Sequence, residues 1–141
     1  LHMAMLASSI GNNGVMMKPI LVSRVVDPKG KEIKKWNPES LGNTFTPDAT
    51  KKVKNMMVKV VKEGTGKSAA VKGITVAGKT GTAENEQTIN GAKKEHAWFI
   101  GFATAENPKI AVAVIVEYSG GSGGSVSAPI AGKIMQEYLQ R

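Results

Sequence analysis

Three strand-like segments follow one another between residues 74 and 116, and that succession constrains the fold more than any other feature of the chain. Ile74 to Ala83 reads as the first. The polar stretch Glu84 to Lys94, with Asn90-Gly91 as turn chemistry, leads to a second at His96 to Phe102. Asn107-Pro108 punctuates the next turn, and Ile110 to Val116 is an uninterrupted apolar run of strand length. Such a run reads as buried on both faces, so its strand is expected to lie between covering helices and core. The expectation is a three-stranded antiparallel sheet.

The flanking sequence supplies helices. Residues 1 to 10 read as a helix stopped by Gly11-Asn12-Asn13-Gly14, residues that tolerate positive φ. Ile20 to Val26 and Glu32 to Trp36 read as a hairpin around the turn Asp27-Pro28-Lys29-Gly30. Thr46-Pro47-Asp48 offers an N-cap, a proline at the first helical position and an acid in the first turn. Behind it Val53, Met56, Met57, Val60 and Val61 recur with helical spacing up to Gly64, as core packing rather than a cofactor box. A last helix is expected after Gly120 to Gly124, capped by Ser125 or Ser127, with Pro129 in its first turn and Ile130, Ile134, Tyr138 and Leu139 on one face. The fold class is therefore α+β, an antiparallel sheet flanked by helices, in a chain whose 141 residues suit one domain.

Composition narrows the chemistry. There are no cysteines, and the two histidines lie about a hundred residues apart, so neither a disulfide nor a metal site is expected, and no cofactor. The formal net charge of +8 would suit an anionic partner. The lysines are spread without a run, however, and Arg24 and Arg141 are the only arginines, which argues against nucleic acid. Gly64-Thr65-Gly66-Lys67-Ser68 has the ending of a phosphate-binding loop, but the first glycine of that motif falls on Val61 and a helix precedes it. The chain opens on Leu1 in what reads as the body of an uncapped helix, as a piece of a longer protein would.

The chemistry concentrates in Val76-Ala77-Gly78-Lys79-Thr80-Gly81-Thr82-Ala83-Glu84. At period two, Lys79 and Gly81 face one way and Thr80 and Thr82 the other, and edge twist can turn them toward a common groove. Glycine lets a ligand approach the backbone, lysine brings positive charge, and the hydroxyls can hold a carboxylate. An edge strand can also pair with an extended peptide.

This stretch resembles the third signature motif of the serine penicillin-binding proteins and β-lactamases. Leu1-His2-Met3-Ala4, Asn13-Gly14-Val15 with Lys18-Pro19, Gly64-Thr65-Gly66, Ala97-Trp98-Phe99-Ile100-Gly101-Phe102 and Ala128-Pro129-Ile130-Ala131 extend the likeness, in order, to the C-terminal part of the transpeptidase domain of class B, monofunctional penicillin-binding proteins. The resemblance implies a D,D-transpeptidase, anchored outside the bacterial cell membrane, that cross-links peptidoglycan stem peptides through a serine acyl-enzyme and is acylated by β-lactams. It places Lys79 in the hydrogen-bond network of the catalytic serine and the hydroxyls of Thr80 and Thr82 on the carboxylate of peptide or β-lactam. Gly81 completes the binding strand, and the Thr82 amide supplies half of the oxyanion hole.

No serine here has a lysine three residues on or an asparagine two residues on, so the nucleophile and second serine motifs are absent. Residues 1–141 are accordingly expected to be an inactive C-terminal fragment whose newly bared apolar surface and sheet edge favour self-association. Rival readings are a β-lactamase or β-lactam sensor, and a non-enzymatic basic module docking an acidic partner.

Overall fold

The computed structural model describes residues 1–85, 88, 89, 92, 93 and 95–141. In chain order the elements are helix α1 (His2–Gly11), strands β1 (Val15–Met17), β2 (Arg24–Val26), β3 (Glu32–Lys35) and β4 (Ser40–Asn43), and helix α2 (Pro47–Lys62). A 3-10 turn at Lys67–Ala69 precedes β5 (Val76–Ala83), β6 (Thr88–Ile89), β7 (Ala92–Lys93), β8 (His96–Ala103), β9 (Ile110–Val116) and helix α3 (Ser127–Leu139). The turn residues expected at Asn90-Gly91 lie outside the described residues, with β6 and β7 pairing antiparallel on either side of them.

The expected sheet forms in the order β5-β8-β9, antiparallel throughout. Val76 stands opposite Ala103 and Ala83 opposite His96, while Ala97 faces Val116 across the other ladder. Period-two alternation then divides two cores. On one face Val76, Phe99, Ala103 and Val112 pack with Ala128, Ala131 and Met135 of α3; on the other Ala77 and Phe102 pack with Ile10 of α1. Helix α2 lies against β5 and serves both, sending Met57 to the second core and Val61 to the first. Thr46 caps α2 by accepting from the Ala49 amide, as the sequence predicts.

The end of α1 also follows the sequence. Asn13 and Gly14 have φ of 54° and 92°, and a Cβ at Gly14 would stand 2.3 Å from the Phe45 carbonyl oxygen, so glycine is required there. The hairpin turn forms as well, with the Asp27 carboxylate accepting from the amides of Lys29 and Lys31.

Several expectations are corrected. The run Ile110 to Val116 is not buried on both faces: only Val112 is fully buried, and Ala113 and Ile115 are exposed. Strand β9 is the sheet margin, and α1 covers Ala111 but not the residues beyond it. The first hairpin strand is shorter than Ile20 to Val26, because pairing with β3 begins only at Arg24. Its neighbour is a second ladder, β1 with β4, that apolar patterning did not announce.

Of the apolar face predicted for helix α3, Ile130, Ile134 and Tyr138 are exposed and only Leu139 packs against the core, while Ala128, Ala131, Gly132 and Met135 are buried. Small residues are needed because a Cβ at Gly132 would already lie 3.1 Å from the Ala69 backbone. Neither Ser125 nor Ser127 caps this helix; the Ser127 hydroxyl is buried and donates instead to the Ala97 carbonyl at 2.8 Å. Met56, placed with the apolar stripe of α2, is exposed.

Candidate functional site

Strand β5 changes character halfway along. Val76, Ala77 and Gly78 are buried, whereas Lys79 and Thr82 are exposed and Thr80 and Gly81 half-buried. The cause is topological. Strand β8 occupies one side of β5, and α2, whose Met57 and Val61 reach the two cores, flanks it on the other. The helix ends at Lys62, and Lys79 to Ala83 run on as a sheet edge. In an edge strand every other residue directs its amide and carbonyl away from the neighbouring strand.

Gly78 is fixed by packing rather than by turn geometry. Its missing side chain makes room for the Phe99 ring, which a Cβ there would meet at 2.2 Å. The ring is fully buried and lies on the face shared by Thr80, its direct cross-strand partner.

The two faces of the exposed half differ. On the α3 side, the Thr80 and Thr65 hydroxyls share a hydrogen bond at 2.7 Å, and the Thr82 hydroxyl accepts from the Gly123 amide at 3.4 Å. Glycines let this loop come so close. A Cβ on Gly123 would stand 2.1 Å from the Trp98 carbonyl oxygen and 2.4 Å from that of Gly81, and one on Gly124 would stand 2.4 Å from the Thr65 carbonyl oxygen. The stretch Gly120 to Gly124, which on composition alone resembles a flexible linker, is a packed clamp over the strand.

The opposite face is bare. Lys79 and Gly81 stand there beside Trp98, Ile100, Ala113 and Ile115, none of which is fully buried. The Lys79 ammonium donates to the Thr80 carbonyl at 2.6 Å and has no carboxylate partner among the described residues. The structure thus brings Lys79, Thr80, Gly81 and Thr82 to one open margin, with lysine on one face and hydroxyls on the other as period two requires.

Thr65 and Gly123 complete this margin, and spacing along the chain did not single them out. The stretch Gly64-Thr65-Gly66 attracts notice for its place in the family resemblance and for its likeness to a phosphate loop. Its glycine amides are taken by the end of α2, those of Gly64 and Gly66 donating to the Val60 carbonyl, so no phosphate nest forms. Chemically, the margin offers an exposed cation, two hydroxyls and edge-strand backbone groups to an extended ligand bearing a carboxylate.

Residues 1–136 match the family model described as the penicillin binding protein transpeptidase domain. Stage V sporulation protein D of Bacillus subtilis is 36% identical over 94% of this chain, which covers 21% of that protein. The peptidoglycan D,D-transpeptidase PbpA of Mycolicibacterium smegmatis is 36% identical over 92% of this chain, covering 27% of that protein. Among solved structures, penicillin-binding protein A of M. tuberculosis in its ceftriaxone acyl-enzyme complex superposes with a TM-score of 0.86 at 33% identity, over 94% of this chain and 30% of that one. The chain therefore spans roughly a fifth to a quarter of the curated relatives it matches.

Proposed function

This chain belongs to the family of penicillin-binding protein transpeptidase domains, and from that premise we propose that it forms the Lys-Thr-Gly wall of a peptidoglycan D,D-transpeptidase cleft. The observation that carries the reading is the open half of β5, where Lys79 to Thr82 emerge beyond α2 as an unpaired sheet edge.

In this reading an extended stem peptide, or a β-lactam in its place, lies along that edge with Gly81 allowing close approach. The Thr80 hydroxyl accepts from Thr65 and turns its own proton, with that of Thr82, toward the ligand carboxylate. The Thr82 amide donates to the oxygen that gains charge as the acyl bond is attacked, and a rigid backbone donor does this with little reorganisation. Lys79 leaves the Thr80 carbonyl and joins the hydrogen-bond network of a serine nucleophile. That serine attacks the peptide carbonyl, the leaving amine departs with a proton, and the acyl group then passes to the amine of a second stem peptide.

The reading makes residues 1–141 the C-terminal part of the domain, with the S-x-x-K and S-x-N motifs in a preceding segment that seats on the bare face of the sheet. The half-exposed Trp98 and Ile100 and the exposed Ile115 support such a cover. It also makes the whole protein extracytoplasmic and membrane-anchored; among the described residues no helix is long and apolar enough to cross a membrane. Without that cover the chain self-associates through this bare face of Trp98, Ile100 and Ile115, which sedimentation detects as a concentration-dependent rise in mass.

The test is paired. A fluorescent penicillin should leave no covalent label on the 141-residue chain. A fluorescent stem-peptide mimic ending in D-alanyl-D-alanine should bind it weakly and reversibly, losing affinity in Lys79→Ala and Thr82→Val. A covalently labelled serine, or a peptide indifferent to both substitutions, contradicts the proposal.

A further inference from the structure

Helix α2 carries five lysines, Lys51, Lys52, Lys54, Lys59 and Lys62, against one acid, Asp48. Among the described residues, only Lys52 of these is ion-paired, with Asp48 at 2.7 Å. A solvent-facing helix gains stability from alternating charges, and like charges three or four residues apart oppose it. Lys51 with Lys54, and Lys59 with Lys62, are such pairs, so the sequence keeps repulsion that stability alone would not select.

These lysines line a hollow. Between α2 and the residues Thr75, Ala105 and Glu106 runs a groove of about 670 Å³ bordered by Lys51, Lys54, Lys59 and Lys62. It adjoins a second hollow of about 350 Å³, with which it shares Lys54 and Glu106 and which adds Lys109. Lys54 is tethered, its ammonium 3.4 Å from both the Gly11 carbonyl and the Asn13 side-chain oxygen. Among the described residues, Lys51, Lys59, Lys62 and Lys109 have no carboxylate within 4.0 Å, and Glu63 and Glu106 at the rim pair with none of them.

We propose that this trough binds a flexible phosphodiester chain that carries no bases, that is, a polyol phosphate polymer. Three features select that chemistry. Lysine is a compact point charge that binds phosphate from any direction, as a flexible chain of phosphodiesters requires, without the bidentate geometry of arginine. The cations from Lys51 to Lys62 extend along roughly 16 Å of helix, matching a linear polymer rather than a single anion. Among the described residues the lining offers no exposed aromatic ring on which a base could stack, since Phe102, the one ring among them that borders the trough, is fully buried. Its concavity and the acidic rim disfavour a flat anionic bilayer. The site is separate from the margin at β5 and does not rest on the transpeptidase reading.

The test is equilibrium binding of a short synthetic poly(glycerol phosphate) to the full chain. If three lysines release counterions, raising salt from about 50 to about 200 mM should weaken binding about 20-fold. Replacing Lys51, Lys59 and Lys62 together with Gln should remove that salt dependence and cost at least ~10-fold in affinity. The charge-matched triple Lys29→Gln, Lys31→Gln and Lys35→Gln, on the exposed β2–β3 hairpin, should leave affinity within about two-fold. Glu63→Gln with Glu106→Gln should tighten binding. Equal losses in the two triples would reduce the effect to diffuse net charge and overturn the proposal. It is equally overturned by no binding at low salt, by tighter binding of a single-stranded oligonucleotide, or by capture on phosphatidylglycerol vesicles without binding of the polymer.

Discussion

Replacing Gly123 with alanine should loosen the clamp over the exposed half of β5. A Cβ there would sit 2.1 Å from the Trp98 carbonyl oxygen, 2.4 Å from the Gly81 carbonyl oxygen and 2.9 Å from the Gly81 nitrogen. Gly81 and Trp98 are directly opposed in the β5–β8 ladder, so the obstacle is paired backbone and no side chain can rotate away. Ordinary contact begins at 3.4 Å, so the loop must retreat by about 1.3 Å at the nearest atom. That retreat breaks the 3.4 Å bond from the Gly123 amide to Thr82 and strains the 2.8 Å bond by which the Ala128 amide, at the start of α3, donates to the Gly123 carbonyl. Overpacking of this kind costs about 1–3 kcal/mol and a weakened hydrogen bond roughly 1 more. Together these come to about 2–4 kcal/mol, or a fall in melting temperature of roughly 7–14 °C for a chain of this length. Circular dichroism melting reads the total, and amide exchange at Thr80 to Thr82 reads its location. A melting temperature within about 1 °C of the parent, with unchanged exchange, would refute the clamp.

Further outcomes follow from the two cores and the helix ends. Ser127→Ala leaves the Ala97 carbonyl without its buried donor and should cost about 1–3 kcal/mol by denaturant unfolding, against nothing measurable for exposed Ser68→Ala. Met135→Ala should cost about 2–5 kcal/mol because that side chain is fully buried, whereas Met56→Ala, 57% exposed, should stay within about 0.5 kcal/mol. Thr46→Ala removes the acceptor for the Ala49 amide and should cost about 1 kcal/mol.

What the sequence disclosed follows the range of each signal. The β5-β8-β9 sheet, the stop at Asn13-Gly14 and the start of α2 at Thr46-Pro47 are written in local periodicity and turn chemistry, and the structure has them there. The placement of Lys79 to Thr82 on a margin also came through, because a strand of mixed charge and hydroxyls does not suit a sheet interior. Failures occurred where a distant neighbour decides. The apolar run Ile110 to Val116 looks two-sided, yet it is an edge strand that α1 covers only in part. Periodicity identified a face of α3 with Ile130, Ile134, Tyr138 and Leu139, of which only Leu139 packs against the core; the 3-10 turn at Ala69 approaches so closely that Gly132 is needed beside it, and Ala128, Ala131 and Met135 face inward instead. Ser127 has the chemistry of a cap and uses its hydroxyl on the sheet. Thr65 reaches Thr80 across fifteen residues of chain, a contact no local pattern encodes.

The central claim is that the open half of β5 receives an extended ligand. Residue-resolved NMR titration of the 141-residue chain with a peptide ending in D-alanyl-D-alanine addresses it most directly. Amide shifts should concentrate at Lys79, Thr80, Gly81 and Thr82, with smaller ones at Thr65 and Gly123. Shifts confined to α2 or the β2–β3 hairpin, with those four amides unmoved at saturation, would contradict the account.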